Sequence, residues 1–558
     1  MKRYWFIGLL LWIASAPPVS AQLPNPVLPR EPDPLPPSQP EPTAPDLVVP
    51  DPPVAPPVEI PGTIWVERFE FEGNTAFSDR QLAEVTQPFV GREISFAELL
   101  QAEAAVAQLY TTNGFINSGA VIPAGQTLSR SGAIVTVQVI EGGVEAIQVS
   151  GNRRLDSAYV RSRLALATRT PLNRDRLLEA LQLLQLDPLI ETISAELQAG
   201  TRPEQSLLVV RIQEADSSRV EVFADDGRSP SVGEFRRGIT LEQRNLTGLG
   251  DRLELTYTNT EGSSQGDVSY TVPLNPRNGT LQARVSLSDT RVVEEPFEEI
   301  DITGDSRLYD LTYRQPIVQT PNQEFALGLT FSRSESETFL LGEPFPLSPG
   351  SNAEGETRIT TLRVFQEFVQ RNAQDVFAAR SQFNIGLDWF DATRNTDAPD
   401  SRFLSWRGQA QYVRSLAPDT FLLVRSDVQL ADDDLVPLEQ FGVGGLNSVR
   451  GYRQDALLTN NGLLTSVEVQ LPVLRVPDVN GVLQIVPFLD LGIGWDDTVL
   501  IPDASSTTLV STGVGLLWRM GDSLLIRLDY SIPLTDLASD SLTQTDDRFY
   551  FQFSYSPF

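Results

Sequence analysis

The chain has 558 residues, contains no cysteine and no histidine, and carries a formal net charge of −30 at pH 7. The missing residue types exclude disulfides, thiolate metal sites, cysteine nucleophiles and every histidine-based metal or acid–base centre. The acidic balance disfavours a nucleic-acid partner, because phosphate binding requires a basic surface.

Residues 1–21 have the features of a secretory signal peptide. Lys2 and Arg3 precede a short apolar run from Trp5 to Ala14, and small residues before position 22 place the expected cleavage after Ala21. An uncleaved anchor helix is the alternative, but the run is shorter than the ~20 residues that a spanning helix needs. Since no later stretch reaches that length, any membrane span is expected to consist of strands closed into a barrel.

Residues 22–61 are expected to form a linker. Sixteen of these forty residues are proline, so the segment has little apolar surface to bury and favours an extended, polyproline-like spacer. A recognition peptide for an aromatic groove is the alternative interpretation.

Two similar α+β units follow, at 62–143 and 144–216. In the first, a strand at 64–71 leads to Gly73-Asn74, two capping boxes (Ser78 with Gln81, Ser95 with Glu98) begin helices, and strands near 120–122 and 134–140 close the unit. The second repeats the order with a strand at 146–150, helices near 156–167 and 173–186, and strands near 193–198 and 207–213. Phe71-Glu-Gly-Asn74 and Val149-Ser-Gly-Asn152 mark the same point in both, which indicates an internal duplication of a β-α-α-β-β unit.

Residues 217–558 are predicted to form an all-β transmembrane barrel of about sixteen antiparallel strands. Segments of roughly ten residues alternate between apolar and polar side chains, as a barrel with lipid outside and a polar lumen requires. The candidate strands start near residues 219, 236, 252, 266, 280, 305, 324, 357, 378, 402, 419, 462, 484, 508, 523 and 547. Short and long connections largely alternate, although the one at 472–483 is longer than a periplasmic turn should be. A soluble β-sandwich is the competing structure, but such domains are usually far smaller.

Two motifs give the sequence a family resemblance. The longest internal connection, 432–461, contains Val449-Arg450-Gly451-Tyr452, and a later strand reads Phe488-Leu-Asp490-Leu-Gly492. With the early turn Asn245–Asp251, and with Pro123–Gln126 and Ile140–Gly142 of the first unit, they make the chain resemble the transporter component (TpsB) of two-partner secretion systems. This family comprises the haemolysin and filamentous-haemagglutinin secretion proteins and belongs to the superfamily of barrel-assembly proteins. The resemblance covers residues from about 62 to the end and implies that the two α+β units are POTRA domains.

The resemblance also implies that the loop folds inward, so that Arg450 at its tip meets Asp490 on the barrel wall. The physical chemistry agrees, because a guanidinium in a confined lumen needs an acid, and a carboxylate accepts two parallel hydrogen bonds from it. Asp490 lies between Leu489 and Leu491, so its side chain points inward if the leucines face lipid. The alternative is that Arg450 is an ordinary solvated loop residue and Asp490 one of many acids in the lumen.

The expected function is secretion of a partner polypeptide across the outer membrane of a Gram-negative-type bacterium. The POTRA-like domains would capture the unfolded client in the periplasm, and the inward loop would gate the pore. A free sheet edge, which the sequence does not identify, can take an extended client as an added strand. Spacer domains without a client site, a barrel-assembly factor and a passive porin or surface receptor are the alternatives. We expect a monomer in contact with outer-membrane lipids that uses no cofactor, no metal and no catalytic residues. In the last strand Phe549, Phe551, Phe553 and Tyr555 alternate well, whereas Phe558 has the opposite parity.

Overall fold

The computed structural model describes residues 26, 30, 34–35, 45, 47–48, 62–126, 132–202, 204–396, 399–496, 506–537 and 549–557. The expected signal peptide, most of the proline-rich segment and Phe558 lie outside the described residues. In the part of the chain that is described, no helix is both long and apolar enough to cross a membrane. The first strand, β1 (Leu47–Val48), belongs to the proline-rich segment, which we call the leader (residues 22–61).

The first α+β unit packs two helices on one sheet. Its sheet order is β3-β2-β5-β4, and both predicted capping boxes are present at the helix starts. The strand β3 was not predicted, because its four residues lie in what reads as a connection between the helices. In chain order the elements are β2 (Thr63–Glu72), α1 (Asp79–Thr86), β3 (Arg92–Ser95), α2 (Phe96–Thr112), β4 (Gly119–Val121) and β5 (Ala133–Ile140).

The second unit repeats this architecture around its own apolar core of leucine, isoleucine and valine side chains. Its elements are β6 (Gly143–Ser150), α3 (Ser157–Ala165), α4 (Arg174–Gln185), β7 (Ile190–Ala199) and β8 (Gln205–Glu214). The duplication extends to a shared turn. Gly73 and Gly151 both have φ of +86°, and the following asparagine donates to a backbone carbonyl at 2.9 Å in each unit. A glutamate at the end of the last strand, Glu141 or Glu214, accepts the backbone N–H groups of that turn.

The leader is not only a spacer. Leu47–Val48 pairs in parallel with β7, so that the second unit has a four-stranded sheet in the order β1-β7-β8-β6. Further upstream, the Arg30 side chain lies inside the barrel against Asp310. The expectation of an extended, polyproline-like spacer stays a prediction for the segment as a whole. Within it, an apolar pair and an arginine find specific partners.

The barrel is closed, and its sixteen long strands confirm the predicted number. Each begins within three residues of its predicted start, and all neighbours pair antiparallel. The connection expected at 472–483 shortens to 477–480, because both flanking strands extend further than predicted. Three short strands, β16, β21 and β22, lie in connections. In chain order the strands are β9 (Ser218–Asp225), β10 (Arg236–Arg244), β11 (Arg252–Asn259), β12 (Ser263–Pro273), β13 (Thr280–Arg291), β14 (Ile302–Gln319), β15 (Gln323–Leu340), β16 (Glu343–Pro344), β17 (Glu356–Arg371), β18 (Asp375–Leu387), β19 (Leu404–Ala417), β20 (Thr420–Ala431), β21 (Phe441–Val443), β22 (Leu457–Thr459), β23 (Asn461–Val476), β24 (Gly481–Trp495), β25 (Thr507–Met520), β26 (Leu524–Pro533) and β27 (Phe549–Tyr555).

The two faces of the wall differ in polarity. Leucines such as Leu489 and Leu528 are about half exposed on the outside, whereas the intervening acids Asp490 and Asp529 are buried inside. This period-two alternation places apolar side chains toward lipid and charged side chains in the lumen. The circle closes where β27 pairs with β9, through four residue pairs from Gln552–Asp225 to Tyr555–Val222.

The second unit contacts the periplasmic turns of the barrel. The Asp156 N–H donates to the Gly248 carbonyl at 2.8 Å, and the Arg163 guanidinium donates to the Asn278 side chain at 2.9 Å. The Arg163 guanidinium also lies 3.4 Å from the centre of the Tyr159 ring, which packs beside Gly250. These contacts hold the second unit against the periplasmic end of the barrel.

Candidate functional site

The connection between β20 and β23, residues 432–460, folds back into the barrel; we call it the inward loop. Within it β21 and β22 form a small hairpin. Its apolar side chains form a buried cluster with the barrel wall, comprising Phe441, Val443, Val449, Tyr452 and Leu509. The predicted loop-tip residues are thus inside the lumen rather than in extracellular solvent.

Arg450 at the tip meets Asp490 on β24, as the resemblance implied. The Nε and Nη2 atoms of Arg450 donate to the two carboxylate oxygens of Asp490, both at 2.8 Å. The Ser466 hydroxyl donates to the same carboxylate at 2.7 Å. Arg450 is only 3 % exposed, so the alternative of a solvated loop residue does not describe this structure. A buried pair with two parallel hydrogen bonds is a strong and directional contact.

Arg450 has two further acidic partners that were not predicted from the sequence. Its Nη1 atom lies 2.9 Å from Glu468 on β23 and 3.0 Å from Asp529 on β26. Both acids also bind Arg527, and Arg425 reaches Glu468 at 3.2 Å. Three arginines and three carboxylates therefore form one network in which the formal charges cancel. The parity that placed Asp490 inward also holds for the two missed acids, which are flanked by Val467 and Val469 and by Leu528 and Tyr530.

The aromatic and small residues of the two motifs shape the place on the barrel wall that receives the loop tip. We call this place, with the acids that bind Arg450, the seat. The Arg450 guanidinium carbon lies 3.4 Å from the centre of the Phe488 ring, in a cation–π arrangement. A Cβ atom at Gly492 would come within 2.3 Å of Val443 and 2.6 Å of Val449. Gly492 therefore leaves room for the inward loop against the wall.

Gly451 and Tyr452 complete the loop-tip contacts. Gly451 has φ of +93°, a backbone conformation that favours glycine. The Tyr452 hydroxyl lies 2.9 Å from the Val510 carbonyl and accepts the Thr535 N–H at 3.2 Å. All seven predicted motif residues thus lie at one place, where the tip of the inward loop meets the wall.

The remaining lumen holds a charged cavity of about 730 Å³. Arginines and carboxylates from β10 to β18 line it, and Arg30 of the leader enters it. Elsewhere the inward loop is held by a second buried pair, between Arg363 on β17 and Glu439 of the loop, at 2.6 Å. Within the described ranges no cluster of three or more acidic side chains has a geometry that could hold a metal ion.

A closed barrel with an inward arginine-tipped loop, preceded by two similar α+β units, defines an outer-membrane barrel protein with periplasmic domains. Comparison with protein families assigns it more narrowly. Residues 204–517 match the family described as haemolysin secretion/activation protein ShlB/FhaC/HecB, and residues 64–142 match the POTRA domain of ShlB type. The chain belongs to this haemolysin secretion/activation family.

Relatives and solved structures agree with the assignment. The heme/hemopexin transporter protein HuxB of Haemophilus influenzae (strain 86-028NP) is 20% identical over 480 residues, covering 81% of this chain and 80% of that protein. The outer membrane transporter CdiB of Escherichia coli O6:K15:H31 (strain 536 / UPEC) is 23% identical, covering 84% and 79%. The structure of CdiB from Escherichia coli matches with a TM-score of 0.68 at 20% identity, covering 91% of this chain and 92% of that one. BamA from Haemophilus ducreyi, lacking POTRA domains 1–3, shares the fold less closely, with a TM-score of 0.53 at 14% identity.

The protein is therefore a two-partner secretion transporter of the outer membrane, with its POTRA region in the periplasm. The family assignment confirms the fold class, the location and the transport function expected from the sequence. It favours secretion over the barrel-assembly alternative.

Proposed function

We propose that the two POTRA-like domains (62–143 and 144–216) bind an unfolded partner polypeptide and deliver it to the lumen of the barrel (217–558), which the inward loop gates. The observation that carries the proposal is the seat of Arg450. A charged loop tip that is buried against three acids cannot be an incidental loop conformation, because each charge gives up its hydration to be there.

The seat suits a gate because its formal charges cancel in the closed state only. Withdrawal of Arg450 leaves Glu468, Asp490 and Asp529 facing Arg425 and Arg527, one positive charge short. The closed state is thus favoured, but an incoming chain can compensate for its loss with its own polar groups. In our proposal Val449, Gly451, Tyr452, Phe488 and Gly492 position the loop tip for this exchange.

The remaining expectations are part of the same proposal. The transporter acts as a monomer surrounded by outer-membrane lipid, and its role is transport rather than catalysis, without a cofactor or metal. A passive porin is disfavoured, because the inward loop and the leader both enter the lumen.

The proposal can be tested by deleting the gene in its own host and comparing surface and medium proteins by mass spectrometry. We expect one large polypeptide to disappear from both fractions and to return with the wild-type gene, while other outer-membrane barrels keep their levels. A general fall in barrel proteins would instead indicate barrel assembly. Unchanged surface and medium proteins would refute secretion.

A further inference from the structure

The outer edge of β7 in the second POTRA-like domain is occupied by the protein's own leader. Leu47 pairs with Ala195 and Val48 with Glu196, in parallel. The Leu47 side chain packs on the apolar core of the domain, whereas Val48 is 60% exposed. The edge thus offers backbone hydrogen bonds together with an apolar contact for every second residue of an added strand.

The described residues of the leader cover a small part of this edge. β7 has ten residues, Ile190–Ala199, and among the leader residues that the structure describes, Leu47 and Val48 pair with two of them. Proline residues at 45 and 50 flank the paired segment and lack the N–H group that would extend the ladder. A longer strand without prolines would form more backbone hydrogen bonds on β7 than the leader does.

The same leader also enters the lumen. Arg30 donates to both carboxylate oxygens of Asp310, at 3.0 and 3.3 Å, and to the Ser332 hydroxyl at 3.0 Å. Its backbone N–H donates to the Leu438 carbonyl of the inward loop at 3.1 Å. Seventeen Cα–Cα steps separate Arg30 from Leu47, and they can span at most about 60 Å. The leader therefore places one described residue, Arg30, in the lumen and another pair, Leu47 and Val48, on the β7 edge.

We propose that the β7 edge is the client-binding edge, and that Leu47–Val48 is a built-in competitor which an extended segment of the exported polypeptide must displace. The inference rests on the proposed secretion function and adds the site and its regulation. The client segment pairs in parallel with β7 and places apolar side chains at alternate positions. In this orientation its N-terminal side is nearest the lumen, as in the leader.

A disulfide can test this directly, since the chain has no cysteine of its own. In Val48→Cys/Glu196→Cys the two side chains are register partners on the accessible face of the sheet. We expect them to form a disulfide in the oxidising periplasm and fix the leader on β7. The matched control is Val48→Cys/Gln148→Cys, because Gln148 lies on β6 at the opposite edge of the same sheet. That pair should stay reduced.

The readout is export of the polypeptide identified by the gene deletion, in cells with and without reductant. We expect the locked variant to export at least about tenfold less, with recovery on reduction, while the control exports like wild type. If wild type exports and the locked variant exports equally, β7 is not the client edge. Absence of the disulfide would likewise overturn the inference. Failure of wild type to export any polypeptide would refute the proposed function instead.

Leu47→Asp gives the opposite change, because it removes the apolar anchor of the competitor. If the leader covers the edge about nine-tenths of the time, the purified full-length variant should bind the exported polypeptide about tenfold more tightly. Unchanged or weaker binding would show that the leader does not compete.

Discussion

The backbone N–H of Gly451 donates to the Tyr550 hydroxyl at 2.8 Å, and that hydroxyl donates to the Tyr452 carbonyl at 3.0 Å. The tip of the inward loop is thereby tied to β27, the strand that closes the barrel against β9. The loop tip and the seam of the barrel are thus coupled through one side chain.

Tyr550→Phe tests this coupling. The variant keeps the ring but leaves the buried Gly451 N–H without its acceptor, at a cost of about 1–3 kcal/mol. We expect more frequent openings in single-channel recordings from planar bilayers. Tyr555→Phe is the control, since that ring lies on the same strand and is 39% exposed. Equal behaviour of the two variants would argue against the coupling.

Arg450→Ala and Asp490→Ala should alter the conductance in the same way. Each removes one half of the buried bidentate pair, and breaking a buried pair typically costs about 3–5 kcal/mol. We expect a larger and less steady pore from both, and a double variant that is less affected than the sum of the two. The exposed pair Arg475–Asp419 supplies the control, because Arg475→Ala removes a contact that solvent already screens. If the wild-type pore is wide and steady and Arg450→Ala does not change it, the contact between Arg450 and Asp490 does not hold the inward loop in the pore.

Gly492→Ala should loosen the inward loop by packing alone. The added methyl group meets Val443 and Val449, and overpacking of this kind costs about 1–3 kcal/mol. We expect a lower thermal unfolding temperature and increased conductance. Gly266→Ala on β12 is the matched control, since a Cβ atom there has nothing within 4 Å. If Gly492→Ala and Gly266→Ala have the same unfolding temperature and conductance, packing at Gly492 does not hold the inward loop against the wall.

Helix α2 of the first domain should lose stability in acid. The pKa of Glu98 is lowered from 4.5 to about 2, because the Ser95 N–H, the Arg92 guanidinium and the Ser95 hydroxyl donate to its carboxylate. The folded pKa lies below the unfolded value, so the contribution is complete above about 4.5 and is lost as the pH falls toward 2. Hydrogen exchange of the α2 amides, corrected for intrinsic rates, should show this loss in wild type. Glu98→Gln should flatten the dependence, while Glu84→Gln on α1 should preserve it.

The strands and the duplicated units could be predicted because their signals are local. Period-two alternation and capping boxes depend on residues only a few positions apart. The alternation located every long strand of the barrel, and the capping boxes located the helix starts of the first unit. The Arg450–Asp490 contact was predicted from the family resemblance together with the inward direction of the Asp490 side chain in the strand alternation. Glu468 and Asp529 had the same parity, but an inward position alone does not say which of many lumen acids meets one arginine.

The contacts of the leader could not be predicted for a different reason. Leu47–Val48 is too short to give a periodic signal, and its partner β7 lies about 150 residues further along the chain. The high proline content of residues 22–61 predicts a spacer, but it gives no information about the contacts of single side chains such as Arg30. Long-range pairing of short segments is decided by the folded surface on which they dock.

The position of the seam also fixes an order of events during assembly. The partners of Arg450 come from β23, β24 and β26, and Tyr550 comes from β27, so the seat is built from the carboxy-terminal strands. Joining β27 to β9 pairs residues more than three hundred positions apart, which makes ring closure the step with the greatest loss of chain entropy. The set of contacts around the loop tip is therefore complete only after the final strand has joined the barrel.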